Sequence, residues 1–109
     1  RQGKVLNDSI SMINSNLAYQ TLQFAPEQLL NGWSSTLAYP VKLIKWGRTV
    51  CIYLNSLSGT ANNMICDLNS LLPGLYAYDR ENTGIYIDNG NLYLSKNSIT
   101  QDVVFTFAF

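Results

Sequence analysis

Two hydrophobic periods meet in this chain, and the switch between them limits its folding more than any other feature. Leu6, Ile10, Ile13 and Leu17 are spaced four, three and four residues apart. That is the d-a-d-a step of a heptad seam, with Asn, Asp and Ser between the apolar positions. From Thr21 to Phe109 the pattern changes to alternation by two, broken by turn residues. The spacing predicts a helix from Val5 to about Tyr19, with Asn7, Asp8 and Ser9 as caps near its start. The chain thus divides into a helical, coiled-coil-like neck over residues 1–20 and a β domain over residues 21–109.

Two heptads are too few to associate alone in water. The neck needs the β domain, or a longer upstream rod, to hold its strands together. Ile at both a and d leans toward three strands. The competing reading of the same residues is an amphipathic helix packed on its own domain. The start at Arg1-Gln2-Gly3, without Met, reads as a fragment of a longer protein.

The β domain shows clear hairpins. In Tyr39 to Leu54, Val41 and Leu43 share one face of a first strand, and Val50, Ile52 and Leu54 share one face of a second. Gly47 lies in the link between them, where a tight reversal is needed. In Gly84 to Ser95 the link is Asn89-Gly90, the favoured type I′ dipeptide. There Ile85, Ile87, Leu92 and Leu94 point one way, and Tyr86 and Tyr93 the other. Pro26 stops a short strand near Leu22 to Phe24, Asn31-Gly32 and Pro73-Gly74 are turn signals, and Met64 to Leu68 is a further strand. The closing DVVFTFAF alternates with Val103, Phe105, Phe107 and Phe109 on one face. Several short strands with regular turns predict a small antiparallel β-sandwich or jelly-roll-like head.

Composition excludes several classes. Net charge is zero, so there is no electrostatic footprint for nucleic acid or an anionic membrane. No apolar stretch reaches the length of a membrane span. The chain contains no His, and therefore no Ser-His-Asp or Cys-His arrangement. A glycosidase would need two facing carboxylates, and Asp79 with Glu81 in a charged loop reads as solvated instead. No enzyme activity, metal or cofactor is expected. Cys51 and Cys66 each sit inside an apparent strand and read as two small buried hydrophobes, with a disulfide as the alternative.

Only 13% of residues are charged, so Asn, Ser, Thr and Tyr supply the polarity. Such a surface suits saccharides, through ring stacking and amide hydrogen bonds. Two places present suitable groups on turns. Trp46 and Arg48 stand at a hairpin tip, where a guanidinium can donate to a hydroxyl or phosphate. Tyr76, Tyr78, Asp79 and Arg80 follow the Pro-Gly turn. Trp33 reads as core or interface.

Taken in order, Leu29 to Trp33, the Lys45, Gly47 and Val50 hairpin, the Leu72, Pro73, Gly74 and Tyr76 segment, Asn89-Gly90 and the aromatic strand Phe105 to Phe109 form a familiar series. Ile13 to Leu17 is similar to the short coils that precede such series. The whole resembles the C-terminal head of a tail-fibre or baseplate receptor-binding protein of phages of Gram-positive bacteria. It departs from the pattern where Gly directly follows Pro73 and where Ala77-Tyr78 replaces an Arg-Pro. The resemblance implies a homotrimer with Leu6, Ile10, Ile13 and Leu17 as its seam, displayed on the virion. The implied ligand is a host cell-wall polysaccharide or teichoic acid. The alternative is a structural virion protein, such as a head fibre, baseplate connector or decoration protein, whose partners are other virion proteins.

Overall fold

The computed structural model describes residues 19–109. Among these residues the chain is mainly β, with every strand pairing antiparallel. The expected helix and its seam residues Leu6, Ile10, Ile13 and Leu17 lie outside the described residues. Gln20, assigned to the neck by sequence, is already strand: it pairs with Lys45, extending the register set by Leu22 opposite Leu43 and Phe24 opposite Val41.

One four-stranded sheet runs β1 (Gln20–Phe24), β3 (Val41–Trp46), β4 (Thr49–Leu54), β11 (Val103–Ala108). A second runs β6 (Met64–Asp67), β9 (Asn91–Leu94), β8 (Ile85–Asp88), β7 (Ala77–Asp79). Three two-residue strands, β10 (Ser98–Ile99), β5 (Leu57–Ser58) and β2 (Ser34–Ser35), form a third.

The turns follow from their residues. Trp46 pairs with Thr49 across Gly47-Arg48, closing β3 and β4 into a two-residue hairpin. Asn89 and Gly90 have φ of 49° and 77°, both positive as the turn between β8 and β9 demands. Pro26 opens a single 3-10 turn, Pro26–Gln28, directly after β1. Beyond it the chain docks on β6: Leu30 N donates to Ile65 O at 2.8 Å, and Asn31 Nδ2 donates to Met64 O at 2.9 Å. This docking carries Trp33 into the core, where it is 3% exposed and its Nε1 donates to Asn63 O at 3.0 Å.

Alternation decides which side chains are buried. Val41, Leu43, Val50, Ile52, Leu54 and Phe105 from the first sheet join Ile65, Ile85, Ile87, Leu92 and Leu94 from the second in one buried cluster. The outward residues of the first sheet are mixed. Lys42 and Thr106 are exposed, as are Tyr53 and Val104, while Ile44 is half-buried.

Both cysteines are free and buried, one on each four-stranded sheet. Cys51 Sγ lies 3.1 Å from Thr106 Oγ1. Burial pushes the Cys66 thiol far above its ordinary value, with the neighbouring Asp67 charge adding to the rise. In the unfolded chain the same thiol ionises near pH 8.5. Its contribution to stability is therefore complete below that pH and is lost above it. The expected slope is about 1.4 kcal/mol per pH unit. Chemical denaturation between pH 7.5 and 10 should show this alkaline limb in the native sequence, and Cys66→Ala should flatten it.

Candidate functional site

The outward face of the second sheet carries a row of aromatic rings. Tyr78 is directly opposite Tyr86, and Tyr86 is directly opposite Tyr93. Directly opposed side chains on neighbouring strands touch, and here the rings stack. Tyr86 and Tyr93 have centroids 5.0 Å apart at an interplanar angle of 5°, and Tyr78 and Tyr86 6.1 Å apart at 20°. Arg80 lies two residues beyond Tyr78 on the same face. Its guanidinium carbon stands 4.0 Å from the Tyr86 centroid and 5.1 Å from that of Tyr78. Each such contact contributes on the order of 0.5–1.5 kcal/mol, so the row is a braced surface rather than a set of free rings.

Burial grades along the row. Tyr86 is 5% exposed, whereas Tyr78, on the edge strand, is 52% exposed. Tyr86 Oη donates to Asn62 Oδ1 at 2.8 Å. Burial raises the Tyr86 hydroxyl above its usual pKa, while the Arg80 charge pulls against that rise. Tyr86 is thus the buried anchor, and Tyr78 with Arg80 forms the accessible end.

At that end Tyr78, Asp79, Arg80, Glu81 and Asn82 line a broad open depression of about 660 Å³. Its rim is a turn closed on Asp79. Thr83 N and Gly84 N donate to Asp79 O at 3.1 and 3.0 Å, and Thr83 Oγ1 donates to Asp79 Oδ2 at 2.8 Å. One carboxylate oxygen of Asp79 is therefore occupied in holding the turn. Tyr76 is exposed on the approach to β7.

The six residues singled out by sequence thus fall in two places. Tyr78, Asp79 and Arg80 share the depression, with Tyr76 next to them in the chain. Trp46 and Arg48 lie at the tip of the β3–β4 hairpin of the first sheet, Trp46 ending β3 and Arg48 in the turn. Trp46 packs edge-on against Tyr19 with centroids 5.4 Å apart. Arg48 stands over the Phe109 ring at 5.4 Å, with Lys45 Nζ at 5.6 Å from the same ring. Sequence reasoning had Tyr86 and Tyr93 facing away from the core but did not place them in the site. The signal was present: both tyrosines flank the Asn89-Gly90 turn at outward positions.

A second, smaller depression of about 440 Å³ lies on the three-stranded sheet, lined by hydroxyl side chains including Ser34, Ser58 and Ser98. It holds no charged side chain, so the Tyr78–Arg80 end offers the stronger recognition chemistry. That end can stack a ring or apolar sugar face on Tyr78 and donate from a guanidinium edge. Asn82 adds amide groups that both donate and accept. Among the described residues no group of three or more metal-binding side chains exists. No family model, curated protein or solved structure matches this chain.

Proposed function

We propose that this chain is the trimeric head of a phage virion appendage, a small β-sandwich of jelly-roll-like form that binds a host cell-surface saccharide during adsorption and performs no catalysis. The observation that carries the reading is the braced Tyr78–Tyr86–Tyr93 row ending in Arg80 beside an open depression. Saccharide sites combine an accessible aromatic face with fixed planar donors, and this end of the sheet supplies both. A cell-wall polysaccharide would use the Tyr78 ring and the Asn82 amide. A teichoic acid would add its phosphate, whose oxygens accept two parallel N–H bonds from the planar fork of the Arg80 guanidinium. The order of sequence motifs supports the virion context.

The test is retention of the 109-residue protein on intact Gram-positive cells, on purified wall polysaccharide and on teichoic acid. The native sequence should be retained on at least one of the three. Tyr78→Ala, which removes a half-exposed ring, should weaken binding about tenfold, corresponding to about 1.4 kcal/mol. It also loses the contacts with Tyr86 and Arg80, at about 1–2 kcal/mol of stability, so binding is compared well below the lowered melting temperature. Arg80→Ala should weaken the teichoic acid more than the neutral polymer, and raised salt should do the same. Failure of the native protein to bind any of the three would remove the reading.

A further inference from the structure

The two four-stranded sheets treat their edges differently. In the second sheet, β7 is three residues long and ends at Asp79, and β6 is interrupted by a bulge between Met64 and Cys66 and ends at Asp67. Short strands, charges and bulges are the usual devices that stop an edge from pairing with another chain. The first sheet has none of them. Its edge β11 reads Val103-Val104-Phe105-Thr106-Phe107-Ala108, six residues without a charge, a Pro or a break in register. The opposite edge, β1, reads Gln20-Thr21-Leu22-Gln23-Phe24, also uncharged and regular.

The hydrogen-bond parity of these edges follows from the hairpin. Asn55 N donates to Pro40 O at 3.1 Å, so the odd-numbered amides of β4 point to β3. Phe109 N donates to Arg48 O at 3.0 Å, so Val103, Phe105 and Phe107 bond toward β4. The N–H and C=O groups of Val104, Thr106 and Ala108 therefore point away from the sheet. By the same alternation through β3, Thr21 and Gln23 of β1 point away from it on the other side. Among the described residues neither row has a strand partner.

We infer that β11 of one copy pairs antiparallel with β1 of the next, making a cyclic head-to-tail interface between copies of this chain. Three features of the sheet fit that occupant. Direction is right: three antiparallel pairings separate β1 from β11, so the two edges run in opposite senses, and rotation about an axis along the strands keeps them so. Parity is right: the outward amides belong on both edges to residues of the outer face, so bonded pairs match side for side. Length is right: five residues on one edge meet six on the other. An isologous contact of β11 with itself would leave β1 bare, whereas the head-to-tail contact satisfies both edges and closes as a ring. The core lies on the face packed against the second sheet, so closure turns the opposite, mixed face, with Lys42, Ile44, Cys51, Tyr53, Val104 and Thr106, toward the shared axis.

This rests on the trimeric reading proposed above, and the experiment separates the two. Light scattering of the full chain gives its mass, and amide exchange by NMR reads the edges directly. The expected result is a mass of three chains, with the Thr21, Gln23, Val104, Thr106 and Ala108 amides as protected as their neighbours. Val104→Pro, which removes one outward donor and no bond to β4, should reduce the mass to one chain and expose the remaining outward amides. Thr21→Pro makes the same test from the other edge and serves if the first variant does not fold. A native mass of one chain overturns both the inference and the trimer. A trimer whose outward edge amides exchange freely, or one that survives both prolines, overturns the inference alone. A dimer protected on β11 and open on β1 overturns it in favour of β11 pairing with itself.

Discussion

Trp33→Ala should destabilise the domain by about 3–5 kcal/mol, the cost of emptying a large aromatic site in a packed core. For a domain of this size that lowers the melting temperature by at least about 12 °C, and it uses much of a typical total stability of about 5–15 kcal/mol. The site has little capacity to collapse. The Trp33 ring is 3% exposed, its Nε1 is tied to Asn63 O at 3.0 Å, and its six-membered ring lies against Gly59. A Cβ at Gly59 would stand 2.5 Å from Trp33 Cδ2, so the backbone there approaches as closely as a glycine allows. Gly59→Ala should therefore cost about 1–3 kcal/mol by overpacking. The two changes share one space, so their costs should not add: in the Trp33→Ala background, Gly59→Ala should be close to neutral. Urea denaturation of the four proteins measures the cycle. Additive costs would mean that the ring is not what Gly59 accommodates.

The hairpins were legible because their information is local. Asn89-Gly90 and Gly47 sit between runs of period two, and each run shows its buried face by alternation alone. The closing strand was legible for the same reason, its buried Phe105 and half-buried Phe107 alternating with exposed Val104 and Thr106. The three-stranded sheet was not legible. Strands of two residues are too short to carry a period, and β2, β5 and β10 meet only because the chain around them has already folded. Sheet order was hidden too, since β1 beside β3 and β11 beside β4 are choices among long-range pairings that no local pattern encodes.

The candidate site divides the same way. Its residue types were visible in Tyr76, Tyr78, Asp79 and Arg80, and the outward direction of Tyr86 and Tyr93 follows from the hairpin. That they form one row depends on Tyr78 being opposite Tyr86, a register between strands joined by a charged turn. Trp46 shows the converse. A ring at a hairpin tip reads as free for a ligand, but strand β1 brings Tyr19 against it.

Gly90→Ala should cost about 3 kcal/mol, more than left-handed backbone strain alone explains. The strain is one part: φ at Gly90 is 77°, a region that costs a side chain-bearing residue about 1–2 kcal/mol. The rest comes from Asn69, whose amide fills the space a Cβ would take. That amide cannot swing aside freely. Its Nδ2 donates to Asp67 Oδ1 at 2.6 Å and to Asn89 O at 3.3 Å, and its Oδ1 accepts from Gly74 N at 2.9 Å. Displacing it forfeits about 1 kcal/mol for each bond that is not remade. Asn69→Ala should remove that part, so Gly90→Ala in its background should cost the strain alone. The acid limb tests the same network from another side. The Asn69 backbone N–H, and then its side chain, hold the Asp67 carboxyl below the usual carboxylate range. A lowered folded-state pKa stabilises above the unfolded value of about 3.9 and is lost as pH falls through the folded one. Stability of the native sequence should therefore decline from about pH 4 downward on account of Asp67. That decline should be smaller in Asn69→Ala, which keeps the backbone donor but loses the side-chain one. An unchanged acid limb, together with additive costs for Gly90→Ala and Asn69→Ala, would mean that Asn69 neither fixes the turn between β8 and β9 nor charges its neighbour.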